Sequence, residues 1–302
     1  MNTSWVVRFN DVMKPEVGRA TTGTGPYERA GDSVALKLES LRTWIRQWDS
    51  MLIAYSGGVD SALLMAVANQ ELGPKALACI GISPSYPQRE RDAAVRLASE
   101  LGARHRLIDT EEFRDPLFIV NTKDRCYYCK LALFSKIKEV GEEERAEIII
   151  DGNNASDLTD YRPGRIAAQE NGVRSPLIEL GLTKEDVRAL AKQLGLQVWD
   201  KPAMACLSSR VPHGSPVTPE VLARIEAAED VLVAMGFHQF RVRHHDQLAR
   251  IELLPEEIPR AIELRLDLTD HLRKVGYIYV CLDLSGFRGT PSPGLSCVSY
   301  GI

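Results

Sequence analysis

The chain reads as an α/β protein, a parallel sheet with helices on both faces, followed by a smaller C-terminal α+β unit. Three observations predict this. Short strand-like runs at 51–55, 76–82, 105–110 and 146–152 alternate with amphipathic stretches of helical length, the pattern of βαβ units whose strands are buried on both sides. Between the first run and the helix-like run after it lies Ser56-Gly57-Gly58-Val59-Asp60-Ser61, a strand-loop-helix junction. Residues 201–220 carry four prolines and one glycine, so the chain passes there through a loop or linker and changes character.

In chain order, residues 1–35 are poor in apolar periodicity and rich in Thr, Gly, Pro and charge, notably in ATTGTGPYERAGDS. They are expected to form a flexible extension. From Val34 the pattern LKLESLRTWIRQW places apolar residues at helical spacing and leads into the first strand. The helix after the glycine turn runs over 62–72 and stops at Gly73-Pro74. A buried strand over 76–82 follows, then an amphipathic helix over 87–102 closed by Gly102, then strands over 105–110 and 146–152. Ligands of such a sheet sit outside the carboxyl ends of the strands, where Ser56, Ser83 and Asp151 are expected to emerge. Beyond the linker, Thr218-Pro219-Glu220 opens a helix with a capping hydroxyl, a proline at the first helical position and an acid in the first turn. The remainder reads as a strand over 237–254, a helix over 256–277 and a strand over 278–289, an element able to pack as an interface. The expected organisation is an extension over 1–35, a first domain over 36–205 and a second over 206–302.

Composition narrows the function classes. With 302 residues and 44% hydrophobic content the chain can bury one large or two medium cores. No apolar run approaches the roughly 18 residues needed to cross a bilayer, and the start MNTSWVVRFNDVMKPEVGRA lacks a charged-then-apolar signal pattern. A cytoplasmic protein with no membrane partner is expected. A net charge of -4 argues against a general nucleic-acid-binding surface while leaving room for a local basic pocket. The six cysteines read as thiols, metal ligands or cluster ligands rather than a disulfide framework.

The loop Ser56–Gly57–Gly58–Val59–Asp60–Ser61 is a phosphate cradle. Two glycines let the backbone turn tightly and aim successive N–H groups inward, and the helix N-terminus behind them adds about half a positive charge. The Ser56 and Ser61 hydroxyls are further donors. No lysine follows the second glycine, so the loop is not of the GxxxxGK[ST] kind that transfers a terminal phosphoryl group. It resembles instead the PP-loop of ATP pyrophosphatases, which bind the pyrophosphate end of ATP and adenylate an oxygen of a second substrate.

The second chemical feature is Arg125-Cys126-Tyr127-Tyr128-Cys129-Lys130 together with Ala205-Cys206-Leu207-Ser208-Ser209-Arg210. Taken alone, the CxxC pair fits a redox dithiol, half a zinc site, part of an Fe–S site or two buried cysteines on a helix. The surroundings do not resemble a thioredoxin entrance. Cys126 and Cys129 are expected to begin a helix, with both thiols on one face near its positive end, where the thiolate is favoured. Cys206 lies in the proline-rich loop beside Arg210. Cys79 and Cys281 sit inside strand-like runs and read as core, and Cys297 lies in the C-terminal tail.

The loop at 56–61, DGNNASDLTDYRPGR (151–165), PLIELGLTKEDVRALAKQLGL (176–196), KPAMACLSSR (201–210), RVRHHDQLARIE (241–252) and YVCLDLSGFRG (279–289) together resemble the LarE family over roughly residues 35–290. Members are ATP-dependent sulfurtransferases that convert pyridinium-3,5-biscarboxylic acid mononucleotide to its thiocarboxylate form on the way to the nickel-pincer nucleotide cofactor of lactate racemase. The resemblance implies an adenine nucleotide alpha hydrolase-like fold over 36–205 and a substrate-binding and oligomerisation domain over 206–302, in a homo-oligomer, a hexamer in the family. Some members carry only the cysteine matching Cys206 and surrender its sulfur, leaving dehydroalanine. Others also have the CxxC pair, and the three cysteines hold a [4Fe-4S] cluster. This chain has Cys126, Cys129 and Cys206, so it looks like the second kind.

The resemblance also assigns roles. ATP lies on Ser56, Gly57, Gly58, Asp60 and Ser61, with Ser83 and Asp151 at neighbouring strand ends, and Asp60 organises Mg²⁺. A substrate carboxylate oxygen attacks the α-phosphorus, pyrophosphate leaves, and a sulfur nucleophile, fed by sulfide or another donor, displaces AMP. The substrate is a nucleotide with a phosphate and two carboxylates, so its pocket must be basic. Arg241 and Arg243 alternate on one strand and face the same side. Arg210 and Arg288 are further partners, and Glu226 or Glu229 orients these arginines or a ribose hydroxyl. His244 and His245 face opposite sides. A GMP or NAD synthetase-like ligase would share the ATP site without using the cysteines, and a tRNA thiolation enzyme would share both chemistries but need an RNA-binding surface. A nucleotide sensor with structural Zn²⁺ on the three cysteines and His213 is the non-catalytic alternative.

Overall fold

The computed structural model describes residues 30–159, 162–202 and 205–287. Residues 1–29 of the expected extension lie outside them, as do Arg288 and Cys297. The helix read from Val34 onward starts at Ala30, so α1 (Ala30–Ile45) takes in the end of that stretch.

Four strands form a parallel sheet in the order β3-β2-β1-β4: β1 (Met51–Ala54), β2 (Ala76–Ile82), β3 (Arg104–Asp109) and β4 (Ile148–Ile150). Both faces are covered, and the strands alternate between two cores as a period of two demands. Met51, Ile53, Ala76, Ala78, Ile80, Ile148 and Ile150 face α1, α2 (Val59–Leu72) and α3 (Gln88–Glu100). Leu52, Leu77, Cys79 and Ile149 face the opposite core, which holds Phe134, Ile137 and Val140 of α5 (Arg125–Glu144). The short α4 (Pro116–Ile119) precedes α5. α6 (Pro163–Glu170), α7 (Pro176–Glu179) and α8 (Lys184–Gln193) follow β4, and α8 begins with a capping box between Thr183 and Asp186. α2 is buried along most of its length, from Val59 through Ala68, which is why it is apolar nearly all round.

The C-terminal part begins at α9 (Pro219–Ala234), whose Thr218 hydroxyl accepts from the Val221 N–H. Its sheet has the order β5-β6-β7 and is mixed: β5 (Phe240–His245) and β6 (Leu248–Leu253) are antiparallel, and β7 (Tyr279–Leu282) runs parallel to β6. The single strand expected over 237–254 is therefore a hairpin. His245 pairs with Leu248 across a two-residue turn in which Asp246 takes a left-handed φ of 52°, a conformation that aspartate tolerates. The single helix expected over 256–277 is broken at Leu264 into α10 (Ile258–Glu263) and α11 (Arg265–Val275). The break lets Ala261 and Leu268 reach the same core, with Leu232, Phe237, Val242 and Leu272. A further cluster, Phe118, Leu207, Val211, Val217, Leu222 and Ile225, packs the proline-rich segment between α4 and α9. No helix among the described residues is long and apolar enough to cross a membrane.

Candidate active site

The phosphate loop closes β1 onto α2 at the carboxyl end of the sheet. Gly57 has φ 66°, and a Cβ there would lie 2.7 Å from the Ala94 Cβ on α3, so glycine is required both by conformation and by close approach. Gly57→Ala is expected to cost about 2 kcal/mol or more from these two sources, read as a lowered denaturation midpoint at unchanged m-value. Gly58 leaves the start of α2 without a side-chain cap, as an anion site at a helix N-terminus requires. The Ser61 hydroxyl is 3.2 Å from both the Ser56 N–H and the Gly58 carbonyl, and 3.3 Å from the Ser56 hydroxyl. The Asp60 carboxylate accepts from Lys184 Nζ at 2.6 Å and from Asn154 Nδ2 at 2.9 Å. Gly152 permits this approach, since a Cβ there would meet the Ser61 nitrogen at 3.0 Å and Asp60 Cβ at 3.2 Å. Lys201 Nζ pairs with Glu90 at 2.7 Å and reaches the Gly57 carbonyl at 3.5 Å.

Ser83 and Asp151 stand just beyond the ends of β2 and β4, the strands on either side of β1. Asp151 is buried and accepts from Ser175 Oγ at 2.6 Å and from the Asn153 N–H at 3.2 Å. Burial raises its pKa against the opposing effect of these bonds and of the Lys130 charge. Ser83 donates to the buried Glu112 carboxylate, which also accepts from Thr110. Ser83 is thus engaged inward.

The cysteine segments meet at this end of the molecule. Leu207 donates its N–H to the Ser85 carbonyl at 2.9 Å, and the buried Ser85 and Ser208 hydroxyls are 2.9 Å apart. The segment bearing Cys206 is thereby bonded to the loop that leaves β2. Cys126 and Cys129 occupy the first turn and a half of α5, but their environments differ: Cys126 is exposed and Cys129 is half-buried against the cluster containing Phe118 and Leu207. The expectation of thiolate character at the helix start fails for Cys129. Desolvation, with Glu112, Cys206 and Cys126 adding in the same direction, pushes its thiol up to about 12, and Lys130 offsets this only in part. At pH 8 its thiolate fraction is then on the order of one in ten thousand. Iodoacetamide at that pH is expected to modify Cys126 well before Cys129, which peptide mass mapping over time would check. Cys79 is core, as expected, and burial likewise raises its pKa to about 12.

Arg210 and Arg89 converge on a buried carboxylate. Glu229 accepts from Arg210 Nε at 2.8 Å and Nη2 at 3.2 Å, from Arg89 Nη2 at 3.2 Å, and from the Val242 N–H at 3.3 Å. Arg210, also buried, spends its remaining contacts on the Ala205 carbonyl at 2.7 Å, the Cys206 carbonyl at 3.1 Å and Ser209 Oγ at 3.1 Å. Arg243 forms a bidentate pair with Glu252 at 2.9 and 3.0 Å and donates to the Ser209 carbonyl at 2.7 Å. Arg241 stacks on Phe287 at 4.9 Å, and burial, then Arg243 and Arg210, hold its pKa below the usual arginine value. That like-charge field favours an anion. Glu226 stands apart from this network and accepts the Gln88 N–H at the start of α3. His244 is buried against the Tyr277 hydroxyl at 3.1 Å, whereas His245 is exposed. His213 is exposed and bonded to the Asn121 carbonyl at 3.3 Å.

Lys184, Asn154, Lys201, Glu252 and Arg89 were not singled out from sequence. Lys184 follows a capping threonine and has no local mark of a partner 124 positions away. Among the described residues, no three His, Cys, Asp or Glu side chains are gathered as a metal site. Ala203 and Met204, just before the Cys206 turn, lie outside the described residues.

No family model matches the chain. An uncharacterized protein of Synechocystis sp. is 44% identical over 254 residues, covering 83% of this chain and 95% of that protein. The pyridinium-3,5-bisthiocarboxylic acid mononucleotide synthase of Lactiplantibacillus plantarum is 36% identical over 257 residues, covering 85% of this chain and 93% of that protein. An NH(3)-dependent NAD(+) synthetase of Finegoldia magna is 24% identical over 168 residues, covering 52% of this chain and 68% of that protein.

Proposed function

The chain belongs to the LarE family of ATP-dependent sulfurtransferases, and on that premise we propose that it adenylates a carboxylate of pyridinium-3,5-biscarboxylic acid mononucleotide and exchanges the activated oxygen for sulfur. The product would be the thiocarboxylate precursor of the nickel-pincer nucleotide cofactor. The observation that carries this reading is the bond from the Leu207 N–H to the Ser85 carbonyl, because it ties the Cys206 turn to the sheet end that bears the phosphate loop. Activation and sulfur delivery can then act on one bound carboxylate.

A carboxylate resists displacement of its oxygen until that oxygen becomes a leaving group. The start of α2 and the Ser56 and Ser61 hydroxyls would hold the ATP phosphates while the carboxylate oxygen attacks the α-phosphorus and pyrophosphate departs. Asp60, oriented by Lys184 and Asn154, suits Mg²⁺, a hard cation bound through one or two carboxylates and substrate phosphates. Sulfur then adds to the acyl carbon and AMP leaves. Arg241 and Arg243 would bind the substrate's anionic groups, with Arg210 and Glu229 positioning the turn that carries Cys206 rather than touching substrate. Three thiols suit an Fe–S centre in kind, and the Arg125 bond to the Ser208 carbonyl ties the Cys206 turn to the start of α5, although the three thiols are not gathered at ligand distance in this structure. Cys126, Cys129 and Cys206 would hold a [4Fe-4S] cluster, which when bound supplies an iron open to sulfide. In this reading residues 36–205 handle ATP, 206–302 serve substrate binding and association into a homo-oligomer, and the enzyme works in the cytoplasm.

The direct test is the product mass after incubating reconstituted protein with ATP, Mg²⁺, sulfide and the biscarboxylate nucleotide. A product with oxygen replaced by sulfur supports the reading, and an amide or unchanged nucleotide refutes it. The basic pocket has its own test. Arg241→Ala and Arg243→Ala are each expected to weaken nucleotide binding roughly ten- to a hundredfold, the loss of one charge-assisted contact, with ATP binding little changed. Arg241→Ala is the cleaner of the two, because removing Arg243 also strips Glu252 of its bidentate partner. Unchanged nucleotide affinity in both would place these arginines outside the pocket.

A further inference from the structure

Two buried polar side chains beside the thiols have no part in the proposed reaction. Asn121, fully buried between α4 and α5, has φ 60°, a left-handed conformation that asparagine accepts more readily than most residues. Its amide donates to the Pro212 carbonyl at 2.8 Å and the Ser215 carbonyl at 2.9 Å. Its side-chain oxygen accepts from Arg125. Its own carbonyl accepts the Gly214 N–H at 3.1 Å. Arg125, also buried, passes the connection on by donating to the Ser208 carbonyl at 2.9 Å.

The two side chains thus grip carbonyls at 208, 212 and 215, all on the segment that follows Cys206, while Arg125 itself immediately precedes Cys126. The segment has only one short helical turn, Leu207–Arg210, to order it, so its conformation must be fixed by bonds from outside. A buried amide with its donors and acceptor satisfied is suited to that task, since any other arrangement of the segment leaves those groups unpaired. We propose that Asn121 and Arg125 are positioning residues that hold the Cys206 turn against the start of the helix carrying Cys126 and Cys129. The proposal rests on reading the thiols as the sulfur-handling set. The geometry it asserts can be measured without turnover.

The test uses the reduced full-length protein and the short cross-linker bismaleimidoethane, with peptide mapping of pairs that join Cys206 to Cys126 or Cys129. N-ethylmaleimide labelling of Cys206 controls for simple reactivity. Asn121→Gly keeps the backbone conformation and removes the amide, and it is expected to lower the yield of Cys206 cross-links about tenfold relative to N-ethylmaleimide labelling. Pyrophosphate release should stay within about twofold of wild type, because the phosphate loop is untouched. Arg125→Lys keeps the charge, but its shorter side chain must reach with one ammonium group the two acceptors that Arg125 Nη1 serves, and an intermediate loss of about threefold is expected. It decides the matter if the glycine variant does not fold. Wild-type cross-linking in the folded variants, no such cross-link in the wild type, or equal losses of cross-linking and pyrophosphate release would each overturn the proposal. A failed sulfur-transfer reading would show differently, as an intact cross-link pattern in a protein that makes no thiocarboxylate.

Discussion

Asp60→Ala is expected to lower substrate-dependent pyrophosphate release by about a hundredfold or more, the scale on which enzymes lose rate when one preorganised electrostatic group at the reacting phosphates is removed. The carboxylate lies in the first turn of α2, and Lys184 and Asn154 fix its direction from two sides. In the proposed reaction its removal would take away a hard oxygen ligand for Mg²⁺, and it leaves the Lys184 ammonium without its carboxylate partner. The Lys184 pair is partly exposed, so the stability lost with it should be only about 1 kcal/mol or less. Asp60→Asn separates charge from shape, since it preserves volume and can still bond Asn154. Its rate should fall nearly as far as that of the alanine variant. If Asp60→Ala releases pyrophosphate at the wild-type rate, the loop is not the adenylation site.

The second large effect concerns the thiols. If Cys126, Cys129 and Cys206 together ligate iron, alanine at any one of them should abolish the broad absorbance near 400 nm in anaerobically reconstituted protein and remove sulfur transfer with it. Pyrophosphate release should persist in all three variants, because activation of the carboxylate needs none of these side chains. Sacrifice of Cys206 makes a different forecast. The Cys126→Ala and Cys129→Ala proteins would each retain one turnover, and the peptide containing Cys206 would become lighter by about 34 Da, the mass of H₂S, as cysteine becomes dehydroalanine. The high pKa of Cys129 bears on this choice. A half-buried, desolvated thiol held near 12 is a poor nucleophile, but binding to iron would remove its proton outright. Dehydroalanine appearing in step with product would exclude the cluster reading.

Much of the scaffold could be read before any coordinates. The strand 76–82 has the bounds of β2, and the turn from β1 into α2 falls at Ser56, Gly57 and Gly58. These features are legible because they are local: the alternation of faces, the cap at Thr218 and the glycine turn are each written within a few neighbouring residues. The hairpin at Asp246 is not legible in this way, because HHDQ interrupts the alternation only weakly and His245 on the strand looks no different from a mid-strand residue.

The site divides along the same line. Residue types and spacing nominate the phosphate loop, the CxxC pair and Cys206, and the resemblance to the LarE family adds the paired arginines. Only the folded chain separates Glu229, which gathers Arg210 and Arg89, from Glu226, which meets the start of α3. Only the folded chain pairs Asp60 with Lys184 and shows Cys129 half-buried and desolvated where its helix end alone predicted a thiolate. The reason is physical. Periodicity and turn chemistry depend on neighbours in sequence, whereas desolvation and charge pairing depend on what packing brings within a few ångströms, and no local pattern records that.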